Sequence, residues 1–80
     1  MDTRVALIGI VVEDKSSVMH LNTLLHEYSS YIIGRMGVPY HKKEICIISV
    51  ALDAPQEVIS ALSGKLGMLP GVSTKTIYSK

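Results

Sequence analysis

The chain has no Phe and no Trp, and Tyr, at four positions, is its only aromatic residue type. Flat stacking platforms for single-stranded nucleic acid are therefore scarce. Neither sign of charge predominates: Lys and Arg number 8 against 7 Asp and Glu. That balance excludes a strongly basic module that holds nucleic acid by charge, so a nucleic-acid partner is not favoured. A single Cys rules out an internal disulfide framework and fits a reducing compartment. The opening apolar run, Val5 to Val12, is far shorter than the roughly 20 residues a membrane-spanning helix needs. No secretory leader pattern opens the chain, because Asp2 and Arg4 precede a run that ends at Glu13. These absences predict a soluble, cytoplasmic protein without a membrane partner.

What is present is aliphatic. Val, Ile and Leu supply 25 of the 80 residues, and only 19% are charged, which excludes a disordered tail. A chain of this length is one domain, residues 1–80, with a core that buries roughly 60% of the unfolded chain's surface. Cys46, inside Ile45-Cys46-Ile47-Ile48, reads as a buried small hydrophobe.

The periodicity orders the elements. Val5 to Val12 is β-branched and apolar at both parities, which marks a strand covered on both faces. Asp14, Ser16 or Ser17 can cap the helix that follows. Val18, Leu21, Leu24, Leu25 and Tyr28 share one helical face, predicting a helix over residues 16–28. Tyr31 to Val38 reads as a second strand, whose two Gly suit an edge or a bulge. A five-residue connection, Pro39 to Lys43, leads into a third strand, Glu44 to Leu52. Asp53-Ala54-Pro55 offers a cap and an N-terminal Pro for a second helix with Val58, Ile59, Leu62 and Leu66 as its stripe. Gly67 ends that helix, Pro70-Gly71 turns the chain, and Val72 to Tyr78 is the last strand.

The order β-α-β-β-α-β predicts an α+β, ferredoxin-like sandwich: a four-stranded antiparallel sheet with two helices on one face. Strands one and three are then central. Both are apolar on both sides, yet two helices cover only one face. An uncovered apolar patch marks an interaction surface, so a homo-oligomer is expected, packed through that face or edge to edge.

Chemistry is sparse. His20 and His26 lie six positions apart on one helix and cannot chelate one ion together, and His41 is in the hairpin tip. Gly64-Lys65-Leu66-Gly67 matches the short GxxG turn that clamps nucleic-acid backbone in KH domains, without the helix that should follow. Gly64 inside a helix costs about 1 kcal/mol against Ala, which a close backbone or ligand would justify. Arg35 is expected to pair with an acid or to face solvent, with anion binding as the alternative. No nucleophile–base pairing is visible, so no enzyme, no resident metal and no cofactor are expected.

The segment Ala61-Leu62-Ser63-Gly64-Lys65-Leu66-Gly67, then Pro70-Gly71-Val72, with Arg35, Gly37 and Pro39, carries a resemblance. So does Ile10-Val11-Val12-Glu13-Asp14 followed by Asn22-Thr23-Leu24-Leu25-His26. Over essentially its whole length the chain resembles the small proteins called iron-only hydrogenase system regulators. That resemblance implies an ACT-like, ferredoxin-like fold related to the C-terminal domain of the nickel-responsive regulator. It also implies a regulatory role linked to a hydrogenase system. The nickel-responsive domain uses several His and a Cys around its central strands. Here Cys46 stands there without His, so nickel sensing is not carried over. Amino-acid-binding ACT domains usually place Gly in the turn after the first strand, and Glu13-Asp14-Lys15-Ser16-Ser17 has none.

The combined expectation is a non-catalytic, homo-oligomeric regulatory module that senses a small effector or a protein partner at subunit interfaces. Its ligand-binding residues would be Asp14, Lys15, Ser63, Gly64 and Lys65, with backbone approach at Gly64 and charge pairing at Lys15 and Lys65. Two alternatives stand beside it. One is a metal-responsive module with His20, His26 or His41 shared across subunits, and the other is nucleic-acid binding through the Gly64–Gly67 turn.

Overall fold

The computed structural model describes residues 2–79. Strand β1 (Arg4–Val12) leads through a short 3-10 turn, Lys15–Ser17, into helix α1 (Val18–Glu27). Strands β2 (Ile32–Tyr40) and β3 (Ile45–Ala54) form a hairpin. Helix α2 (Gln56–Gly67) and strand β4 (Val72–Tyr78) complete the ferredoxin-like βαββαβ order. The sheet runs β2-β3-β1-β4, antiparallel throughout, so the two apolar strands are central as the pattern predicts.

One parity of each central strand faces the helices. Ala6, Ile8, Ile10 and Val12 of β1 and Ile48, Val50, Leu52 and Ala54 of β3 are buried. Against them lie Leu21 and Leu25 of α1 and Ile59, Leu62 and Leu66 of α2, the stripes that helical spacing picked out. Val18, Leu24, Tyr28 and Val58 close the rim of this core, and Cys46 is only half-buried at its margin. Cys46 therefore lines the edge of the core instead of filling it, because its neighbours are Val12 and, on the edge strand, Pro39.

Several details of the elements' ends differ from the sequence reading. Pro39 and Tyr40 belong to β2, paired with Cys46 and Ile45, and the connection shrinks to residues 41–44. A Pro is tolerated there because β2 is an edge strand and needs no donor on its outer side. Next, β3 runs on to Ala54, opposite Arg4, so Asp53 is a strand residue and does not cap α2. Pro55 stands at the N-cap without a side-chain bond, and its carbonyl accepts from Val58 and Ile59 at 3.0 and 3.2 Å. Lastly, Gly67 is the final residue of α2, but it does not adopt the left-handed conformation of a C-terminal glycine cap. That conformation appears at Gly71, with φ of 68°.

A register shift in β2 between Ile32 and Gly34 leaves Ile33 unpaired. This bulge follows from the edge position, and it reverses which side each later residue takes. Ile32 stands opposite Leu52 on the helix side, Gly34 opposite Ala51 on the open side, and Arg35 opposite Val50 on the helix side again.

Candidate functional site

The expected ligand-binding residues fall into two groups that do not converge. Asp14 and Lys15 belong to the loop after β1. There Glu13 N–H donates to the Gly71 carbonyl at 2.7 Å, so the end of β1 is tied to the turn before β4. The Asp14 carboxylate accepts from Ser16 N–H at 2.9 Å and from Ser16 Oγ at 2.6 Å. These bonds favour the charged form and hold the Asp14 carboxyl below its ordinary value. Asp14, and not Ser16 or Ser17, is thus the capping residue. Ser17 is buried and donates its hydroxyl to the Pro70 carbonyl at 2.6 Å. Gly71 completes the clasp, since a Cβ there would lie 2.6 Å from Asp14 Cβ. An open depression of about 400 Å³ borders Asp14 and Lys15, and its other wall is Lys43, Glu44 and Ile45 of the hairpin. Ser63, Gly64 and Lys65 take no part in it.

Those three lie on α2. Ser63 Oγ and Thr76 Oγ1 of β4 are 3.2 Å apart, one hydroxyl donating to the other. Lys65 donates from Nζ to the Tyr28 hydroxyl at 3.0 Å and sits 5.3 Å from the centre of that ring. The hydrogen bond to Tyr28, its charge attraction and that of Glu27 raise the Lys65 ammonium above its ordinary value. Lys65 thus ties α2 to the end of α1, with a phenol and not an acid as its partner. Nothing lies within 4 Å of the position a Gly64 Cβ would take. No other element of this chain approaches Gly64, so of the two expected justifications, a close backbone or a ligand, this chain does not supply the backbone. Gly64 to Gly67 is the last turn of a helix, not an extended turn, so its N–H groups are committed along the helix and cannot clamp a phosphate backbone. His20 and His26 are exposed on α1, His41 stands in the tip, and among the described residues no cluster of three metal-ligating side chains forms.

The uncovered side of the sheet is the larger feature. Leu7 and Val11 of β1, Ile47 of β3, Met36 and Val38 of β2 and Ile77 of β4 are exposed there. The pairing registers set Met36, Ser49, Gly9 and Lys75 in one row across the four strands. Gly9 and Ser49 at its centre lower the surface beside the paired Val11 and Ile47, leaving a shallow apolar hollow of about 350 Å³. Within the paired strands, charge on this side is confined to Asp53 and Lys75. Gly9 was the available sequence signal: a lone Gly inside a β-branched central strand marks close approach of something to the sheet. The clasp at Ser17 and Gly71 had no comparable signal, because it joins residues more than fifty positions apart.

The comparisons with known proteins agree with this architecture. Residues 4–76 match the family model TM1266-like, described as "Iron-only hydrogenase system regulator, putative". The structure of TM1266 from Thermotoga maritima superposes with a TM-score of 0.95 at 36% identity, covering 99% of this chain and 100% of that one. The chain belongs to the TM1266-like family, whose identity and fold are those of a regulatory, non-catalytic domain linked to a hydrogenase system. More distant likenesses show the fold alone. The C-terminal domain of MgtC from Mycobacterium tuberculosis has a TM-score of 0.75 at 12% identity, covering 95% of this chain and 87% of that domain. A formyltetrahydrofolate deformylase from Pseudomonas putida KT2440 has a TM-score of 0.65 at 11% identity, covering 91% of this chain and 28% of that one. A search of curated proteins gave no match. No helix among the described residues is long and apolar enough to cross a membrane.

Proposed function

We propose that this chain is a regulatory module that works as a homo-oligomer, two copies packing through the open face of the sheet. The observation that carries the reading is the set of exposed apolar side chains spread over all four strands of this face, with Gly9 and Ser49 at its centre. Four strands at about 4.8 Å spacing and nine residues at about 3.3 Å give a face of roughly 600 Å² per copy. Two copies would bury about 1,200 Å², the lower end of stable interfaces. A second copy is the fitting occupant because a flat, largely aliphatic surface, whose paired strands carry charge only at Asp53 and Lys75, is complementary to itself. Gly9 and Ser49 leave room for the two sheets to meet closely.

In this reading a small effector or a protein partner acts at or beside the subunit interface. Asp14, Lys15, Ser63, Gly64 and Lys65 are the candidate contacts. The open space at Gly64 and the exposed charge of Lys15 support a partner arriving from outside the chain. The test is sedimentation of the wild type and of Leu7→Lys/Ile47→Lys at about 100 μM, a concentration at which even a weak dimer is populated. The wild type should run at a multiple of the monomer mass and the double variant at the monomer mass, with unchanged far-ultraviolet circular dichroism. A wild type at monomer mass throughout would overturn the reading.

A further inference from the structure

On the helix side of the sheet a second feature remains without a role. The bulge at Ile33 turns Arg35 off the open face and places it beside α1. There its guanidinium donates to Asn22 Oδ1 at 3.0 Å. The two side chains border a cleft of about 340 Å³, with His26 and Ser29 on its walls and Leu25 and Ile32 at its apolar floor. No Asp or Glu lines this cleft.

That combination has a chemical meaning. A guanidinium carries five N–H donors in a planar fork and stays charged at every ordinary pH. Among the described residues its hydrogen-bond partner here is one neutral amide oxygen, which orients the fork without neutralising it. His26 and Ser29 can add further donors at the walls. An apolar floor beneath such a head group fits a short hydrocarbon tail.

We propose that the cleft between α1 and β2 binds a small organic carboxylate, its head group on the fork of Arg35 and its aliphatic tail over Leu25 and Ile32. One guanidinium matches one negative charge, and its fork matches the two oxygens of a carboxylate. Self-association is not required for this site, because the cleft opens on the side of the sheet opposite the proposed subunit interface.

The experiment is a titration of the isotope-labelled full chain with sodium pentanoate, followed by amide chemical shifts. Saturable shifts at Asn22, His26, Ile32 and Arg35 are expected. Arg35→Gln should bind at least about tenfold more weakly, the loss typical of a charged hydrogen bond, while melting within about 2 °C of the wild type. Asn22→Asp, which supplies an internal carboxylate to the same fork, should weaken pentanoate by a similar factor. Absence of saturable shifts up to about 50 mM pentanoate, at which a site with a Kd of about 5 mM would be about nine-tenths occupied, would overturn the proposal. So would wild-type affinity in either variant. Inorganic phosphate binding as tightly as pentanoate would reduce the cleft to a general anion attractor and refute the tail-binding half.

Discussion

Two sides of one sheet can be compared residue by residue, because they alternate along the same strands. On the helix side Ile8, Ile10, Val50 and Leu52 are at most 1% exposed. On the open side their neighbours Leu7, Val11 and Ile47 are 43%, 36% and 45% exposed. The residue types scarcely differ. What differs is cover: the stripes of α1 and α2 reach one side only. Apolar character in a strand therefore reports a demand for burial, and the topology decides whether this chain alone can meet it.

The largest expected effect tests that contrast directly. Ile8→Ala removes a fully buried side chain from close packing and should cost about 2–5 kcal/mol. Leu7→Ala, one residue away, should cost about 1 kcal/mol or less in dilute solution, where association contributes nothing. Urea denaturation of both variants at low concentration measures the difference. Equal losses would mean that the two sides are not distinguished by cover, and the contrast would fail.

A second variant loosens the helix side without removing any apolar group. Gly71 holds φ of 68°, and an added Cβ would lie 2.6 Å from Asp14 Cβ and 2.8 Å from Asp14 N. Gly71→Ala must therefore shift backbone as well as accept a strained conformation, at a cost on the order of 2 kcal/mol or more. Amide exchange should show faster opening in residues 13–18 than in β2 and β3. Uniform destabilisation would show that this clasp does not locally fasten the helix layer.

Ser17→Ala probes the same junction more gently. Its buried hydroxyl bonds the Pro70 carbonyl, and deleting it leaves that oxygen without this donor. A loss of about 1–2 kcal/mol is expected from thermal melting. A loss below a few tenths would assign the clasp to the backbone bond between Glu13 and Gly71 alone.

How much of this was legible beforehand follows from the range over which each feature is determined. Strand order and both helix stripes were readable, because the β-branched apolar runs of β1 and β3 and the 3–4 spacing of Leu21, Leu25, Ile59, Leu62 and Leu66 are local patterns. The end of β3 was not. Asp53-Ala54-Pro55 looks like a helix start, but pairing of Val5 and Arg4 with Asp53 and Ala54 extends the strand. The side taken by Arg35 depends on a single unpaired residue, Ile33, and a one-residue shift reverses every later position. At the candidate site, the separation of Asp14 and Lys15 from Ser63, Gly64 and Lys65 is a tertiary fact that no spacing encodes. Nor does spacing reveal that Ser63 and Lys65, both candidate ligand contacts, have partners within the chain, Thr76 and Tyr28, from other elements.

The smallest expected effect concerns charge at the clasp. Ser16, through its side chain and then its backbone N–H, lowers the Asp14 carboxyl from its ordinary value of 3.8. A lowered native value means that the folded state binds the proton less readily than the unfolded chain does. The resulting stabilisation is present above the ordinary value and fades as pH falls through it toward the native one. Asp14 is only partly buried, so solvent keeps the contribution small. Asp14→Asn retains a capping side chain but removes the titration. The melting temperature of the wild type should exceed that of Asp14→Asn slightly at neutral pH, and the gap should close below about pH 4. A gap that persists at low pH would assign the contribution to side-chain shape and not charge. The helix layer would then be fastened by contacts indifferent to pH, as apolar contacts across the open face would also be.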